Sequence, residues 1–141
     1  MEKPYLLLFF LLFSVACSTE KKYEACQLKQ TDKTLSFPID PDTKNNFNIY
    51  SIYKDKDGKE YFTFQNYDNN TIHFYDLKQQ KQAFRINPPR EGSNGVGRTF
   101  GYYIHNLDSI YVFSLYEHEL YLINKDCALL EKQSYPEHKS S

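Results

Sequence analysis

Glu60-Tyr-Phe-Thr-Phe-Gln-Asn66 and Asp108-Ser-Ile-Tyr-Val-Phe-Ser114 start 48 residues apart, and each is a short aromatic and β-branched run between polar clusters. Such runs favour strands over helices. Five residues after each, Thr71-Ile-His-Phe-Tyr-Asp76 falls on Glu119-Leu-Tyr-Leu-Ile-Asn124 in the same register. Both of these second runs end on a short acid or amide, Asp76 or Asn124, whose side chain can accept from the backbone ahead of it and so start a turn. The repeat therefore covers strand, turn, strand and turn, not composition alone.

Working outward, Phe47 to Tyr53 precedes the first copy and Phe100 to Ile104 the second, while Ala83 to Ile86 and Leu129 to Gln133 close them. Each unit is then four strands. Pro88 and Pro136 punctuate the closing strands, and Leu35-Ser-Phe-Pro38 looks like a third copy of the same strand end, giving an N-terminal strand over Leu35 to Ile39. Proline lacks a ladder donor, which places these strand ends at sheet edges. The expected fold is all-β: two four-stranded antiparallel blades of the propeller type plus that N-terminal strand. A β-sandwich of eight or nine strands without blade symmetry is the alternative.

The chain opens differently. Residues 1–17 read MEKPYLLLFFLLFSVAC, with Lys3 ahead of an apolar run from Leu6 to Phe13 and small residues leading into Cys17. That order is a secretion signal, and the run is far shorter than the ~20 residues a membrane-crossing helix needs. Ser14-Val-Ala-Cys17 resembles the box that ends a bacterial lipoprotein signal, with serine where leucine is more usual. That resemblance implies lipidation of Cys17 and, since no aspartate follows it, sorting to the outer membrane. An ordinary cleaved signal with an incidental cysteine is the other reading. The segments are thus a signal peptide over 1–16, a lipidated N-terminus and linker over 17–33, a β domain over 34–136 and a tail over 137–141.

The 141 residues carry 17 basic and 18 acidic side chains, so no broad electrostatic attraction to nucleic acid or to an acidic surface is expected. With Cys17 lipidated, Cys26 and Cys127 remain and could form one disulfide in an oxidising compartment. Two free thiols are the alternative, and the spacing does not suit a metal site.

Residues of chemical interest are few. Asp55-Lys-Asp57-Gly58-Lys-Glu60 has the opening of a calcium loop, but the distal acid position falls on Asn66, and Asp-Gly between strands reads as a hairpin turn. The glycine-rich stretch from Gly92 to Gly97 could nest an anion, yet no Gly-Lys-Ser/Thr follows, so a connection between units explains it. His73, His105, His118 and His138 form no ligand set: in Glu117-His118-Glu119, neighbours in an extended strand would point to opposite faces, and a solvated hairpin turn is the reading of that stretch. Ser109 and Ser114 lack a nucleophile-elbow context. No catalytic residue, cofactor site or metal site is assigned.

Phe37-Pro-Ile-Asp40, Tyr61-Phe-Thr-Phe-Gln-Asn66, Ile72-His-Phe-Tyr-Asp-Leu77 and Arg90-Glu-Gly-Ser-Asn-Gly-Val-Gly97 together resemble the opening portion of an uncharacterised family of Bacteroidota lipoproteins. That family has six-bladed propeller-like repeats and is a domain of unknown function. The resemblance implies a propeller fold and an envelope location, while two blades cannot close a ring. It also draws attention to Asp108-Ser109-Ile110, which looks like the short O-glycosylation motif of the same bacteria, whereas Asn69-Asn-Thr71 is a sequon without an expected transferase.

Three functional readings follow. The first is a non-enzymatic envelope lipoprotein that binds a protein or glycan partner, with self-association as a further means of covering its sheet faces. The second is a truncated, inactive part of a full propeller. The third is a polysaccharide hydrolase drawing on Asp55, Asp57, Glu60 and Asp108. A pocket holding paired carboxylates favours the enzyme; a wide uncovered sheet favours binding.

Overall fold

The computed structural model describes residues 28–41, 43 and 49–136. The signal, Cys17, Cys26, Phe47 and His138 lie outside these residues. The chain divides into two units, Met1–Lys33 and Thr34–Ser141. In the first, the described residues 28–33 are exposed and carry no helix or strand. The second unit contains all eight strands found among the described residues, and no helix is found there.

The first sheet runs β1 (Tyr50–Lys54), β2 (Glu60–Asn66), β3 (Thr71–Asp76) and β4 (Lys81–Ile86), each antiparallel to the next. The second repeats this meander with β5 (Gly101–Asn106), β6 (Ser109–Ser114), β7 (Glu119–Ile123) and β8 (Leu129–Ser134). β4 and β8 start 48 residues apart, as do β3 and β7. The irregularities repeat too: the ladder slips between Phe74 and Tyr75 and again between Leu122 and Ile123. Asn70 and His118, which end equivalent turns, both have positive φ, 62° and 52°. All eight expected strands of the two units are present, and the arrangement suits either two propeller blades or a sandwich.

Alternation sorts each sheet into two faces. Tyr61, Thr63, Gln65, Ile72 and Phe74 share one face of the first sheet, and Tyr102, Ile110, Val112, Tyr121 and Ile123 share one face of the second. These faces meet in one core, to which Tyr53, Ile86 and Val96 also belong. Polar pairs pin the contact. The Tyr102 hydroxyl donates to Thr63 Oγ1 at 2.8 Å, and Gln65 Nε2 donates to Thr99 Oγ1. Buried Asn70 donates to the Gly97 carbonyl at 2.7 Å and accepts from the Thr99 amide at 3.2 Å. Hydrogen bonding offsets the cost of burying these groups and fixes how the sheets sit.

One expectation needs correction. Leu35 to Ile39 is not a strand. The segment lies over the outer face of the first sheet, where the Phe37 ring stacks on Phe62 at 5.5 Å and meets Tyr75 edge-on at 5.4 Å. The Ser36 amide donates to Gln80 Oε1, and Asp40 pairs with Arg85 at 3.8 Å. Pro38 cannot donate to a ladder, so an aromatic side chain laid on a sheet face is the better use of this sequence. Pro88 and Pro136 do follow the edge strands β4 and β8, as expected.

Candidate functional site

A cleft of about 380 Å³ opens where the β1–β2 and β5–β6 hairpin turns and the β7–β8 loop come together. It is lined by Tyr53, Asp55, Asp57, Asn106, Asp108 and Lys125, with Lys56 and Leu107 completing it. In a meander every second turn lies at the same end, so the repeat itself delivers these turns to one place. Three of the four carboxylates considered for hydrolysis, Asp55, Asp57 and Asp108, thus share a cleft. Glu60 does not; it faces away and pairs with Lys54 at 3.7 Å.

The carboxylates have different duties. Asp55 Oδ1 accepts from the Asp57 and Lys59 amides, both at 2.9 Å, and Oδ2 accepts from the Tyr61 hydroxyl at 3.4 Å. The turn closes through the Asp55 amide to the Lys59 carbonyl and the Gly58 amide to the Asp55 carbonyl. Gly58 at φ 82° supplies the left-handed residue such a turn needs. The hairpin reading of Asp-Gly therefore holds, with Asp55 committed to it. Asp57 and Asp108 stand exposed on turn tips, the latter's amide held by Asn106 Oδ1 at 2.8 Å.

Burial, reinforced by the charges of Asp55 and Asp108, lifts the Tyr53 phenol above its ordinary acidity range, so it stays protonated in the cleft. The Lys125 backbone amide ties its loop to the Leu107 carbonyl at 2.7 Å. Its ammonium is hydrogen-bonded to Asp126, which, with help from Asp108, raises its pKa and keeps it cationic. The cleft offers groups of both charges, with the buried Tyr53 ring in its lining.

Other sequence candidates resolve into structure. Among the described residues no group of three or more His, Cys, Asp or Glu side chains could hold a metal ion. The Gly95, Val96 and Gly97 amides donate to the loop's own carbonyls at Gly92, Pro89 and Arg90, so these three are spent within the connection. Gly97 is favoured by its φ of 63°, whereas the Glu117 carboxyl that a Cβ would meet is the end of a flexible, exposed side chain and can swing aside. Glu119 turns to Lys132 and Tyr121, while His118 meets the Tyr135 ring edge-on, so Glu117, His118 and Glu119 do not converge. Ser114 Oγ is buried against the Arg98 carbonyl. Cys127 is a half-buried free thiol whose pKa burial raises; its expected partner Cys26 lies outside the described residues.

The sequence reading missed Thr63, Gln65, Asn70 and Thr99. Their signal was present: Gln65 and Thr63 interrupt an otherwise apolar face, and polar residues at core positions imply buried partners.

Two four-stranded antiparallel sheets built on one repeat, with a polar cleft at their turn end, define an all-β repeat domain. The chain belongs to the family described as domain of unknown function DUF4221, whose model matches residues 25–141. It is similar to the crystal structure of a DUF4221 member from Bacteroides vulgatus, at 26% identity and a TM-score of 0.69. The match covers 74% of this chain and 29% of that one. No curated protein matches the chain.

Proposed function

We propose that this protein is a lipid-anchored, non-enzymatic module of the outer membrane, tethered through Cys17, whose turn-end cleft binds a protein or glycan partner. The anchor rests on the signal and the Ser14-Val-Ala-Cys17 box. Two or more acyl chains, at about 0.8 kcal/mol per buried methylene, hold a protein on a membrane stably. The observation that carries the binding reading is the commitment of Asp55 to its own turn: the cleft has exposed acceptors at Asp57 and Asp108 and a cation at Lys125, but its most enclosed carboxylate is spent on the backbone. Such a mixture suits hydroxyl-rich or charged ligands.

The test has two arms. Labelled palmitate enters the wild-type chain and not Cys17→Ala; equal labelling refutes the anchor. Envelope polysaccharides are then offered to the full chain, with binding and reducing-end release both measured. Binding that Asp108→Lys abolishes, without release, supports the proposal. Release that Asp57→Asn or Asp108→Asn abolishes refutes it in favour of a hydrolase. A second reading, in which these two sheets form part of a longer propeller, is favoured by the 29% share of the Bacteroides vulgatus chain.

A further inference from the structure

Asn94-Gly95 lies in the connection between the two sheets, and it is the only place in the chain where glycine follows asparagine. The side-chain amide of an asparagine can be attacked by the backbone nitrogen of the next residue, and a side chain on that residue shields the nitrogen. Glycine has none, whereas every other asparagine here precedes a residue that does. The fold also needs this glycine: a Cβ at position 95 would lie 2.8 Å from both the Arg90 carbonyl oxygen and the Glu91 carbonyl carbon, and backbone cannot swing aside.

The base of the connection is fixed and its tip is free. Val96 is fully buried with its amide donating to the Pro89 carbonyl at 2.9 Å, and the Gly97 amide donates to the Arg90 carbonyl at 3.1 Å. The tip, Glu91 to Asn94, is exposed, and a Cβ at Gly92 would meet nothing within 4 Å. Two hydrogen bonds hold the reacting groups there. The Gly95 amide donates to the Gly92 carbonyl at 3.0 Å, closing a turn with Ser93 and Asn94 at its centre and keeping the nucleophile's proton engaged. The Leu129 amide, at the start of β8, donates to Asn94 Oδ1 at 3.3 Å, where negative charge gathers when the nitrogen adds to Cγ. The first bond restrains the reaction and the second favours it, so the rate follows opening of the exposed turn.

We propose that Asn94 is a site of spontaneous deamidation in the folded chain, gated by the Gly92–Gly95 turn. When the turn opens, the Gly95 nitrogen gives its proton to solvent hydroxide and bonds to Asn94 Cγ; the Cγ–Nδ2 bond breaks, ammonia leaves and a cyclic imide remains. Water then opens the imide at either carbonyl. Attack at Cγ gives aspartate in an unchanged backbone, and attack at the main-chain carbonyl gives isoaspartate, whose backbone runs through Cβ and Cγ and is one atom longer. Gly95, packed on Arg90 and Glu91, leaves no room for the longer link, so the bonds to Gly92 and Leu129 are lost and β8 loses its tie to the connection. The modification is independent of what the turn-end cleft binds.

The full chain, kept folded in mildly alkaline buffer at growth temperature, is sampled over time with isoaspartyl methyltransferase and labelled S-adenosylmethionine, and the label is mapped to the tryptic peptide 91–98 between Arg90 and Arg98. Mapping separates it from Asp57-Gly58, which can close the same imide with loss of water. Label accumulates in that peptide in wild type and not in Asn94→Ala; its absence from the wild-type peptide, or its appearance there only after denaturation, overturns the site. Ser93→Pro stiffens the turn at a position that suits proline and slows accumulation about two- to fivefold; an unchanged or faster rate overturns the gate. The isoaspartyl fraction melts about 4–8 °C below fresh protein, the shift expected for one lost hydrogen bond, whereas Asn94→Asp, with a normal backbone, melts with fresh protein. Equal melting of the isoaspartyl fraction and fresh protein overturns the loss of the tie.

Discussion

Ile72 and Leu120 are equivalent positions 48 residues apart, on the same face of β3 and β7, yet Ile72 is fully buried between the sheets and Leu120 is only partly buried on the far face. Truncating both to alanine removes the same number of carbons, so the difference reports packing alone. For Ile72→Ala, three carbons at about 0.8 kcal/mol each give roughly 2.4 kcal/mol of lost transfer energy. The enclosed cavity left against Ile86 and the core raises this to about 3–5 kcal/mol. For Leu120→Ala part of the side chain is already in water and no closed cavity forms, so roughly 1–1.5 kcal/mol is lost. At about 4–8 °C per kcal/mol for a domain of this size, the two variants should melt roughly 6 °C or more apart. The chain has no tryptophan and 13 tyrosines, so tyrosine fluorescence and circular dichroism follow unfolding, with urea midpoints as the second measure. Equal losses for the two variants would refute the assignment of a buried and an open face.

Two further outcomes follow from named polar groups. Asp76 Oδ1 accepts from the Lys78 and Gln79 amides and Oδ2 pairs with Lys59 at 3.0 Å; the Gln79 amide first, then Lys59, holds its carboxyl below the ordinary range. Because the folded pKa is depressed, this stabilisation is complete above the unfolded carboxyl value near about pH 4 and is lost as pH falls through the folded value. Asp76→Asn should therefore be less stable than wild type at pH 7, with the gap narrowing below about pH 4; a gap independent of pH counts against the account. Tyr102→Phe removes the hydroxyl donated to Thr63 Oγ1 and should cost about 0.5–1.5 kcal/mol. A double-mutant cycle with Thr63→Val should show coupling, and zero coupling would mean that this pair does not pin the sheets.

Much of the fold was legible because strand alternation and turn chemistry are local. Asp76 and Asn124 do what their types suggest, each accepting from two amides of the turn that follows. Asp-Gly makes the first hairpin, and even the ladder slips recur at the repeat spacing. What escaped is tertiary. The same kind of proline that follows β4 and β8, at Pro88 and Pro136, stands at Pro38 beside a ring laid on a sheet face, and nothing local separates the two. The cleft is half legible: Asp55, Asp57 and Asp108 lie in turns and meet there, whereas Glu60 opens β2, where strand parity turns it to the opposite face from Tyr61 and towards Lys54.

The position of the cleft depends on how the sheets are pinned, and here the buried polar groups matter more than the apolar ones. An interface of Ile, Val, Phe and Tyr alone tolerates small slides and rotations at low cost, because hydrophobic burial has no direction. Hydrogen bonds do have direction. Tyr102 to Thr63, Gln65 to Thr99 and the two bonds of Asn70 fix one angle and one register, each group being costly to leave unpaired in the core. Thr63 also reaches Ser51 on β1, the strand that leads through Tyr53 into the cleft, so the pin and the cleft share a strand. A mutation at Thr63 should therefore disturb ligand binding at the turn end as well as stability, whereas Ile72→Ala, which widens the core without breaking a directed bond, should lower stability with little effect on the cleft.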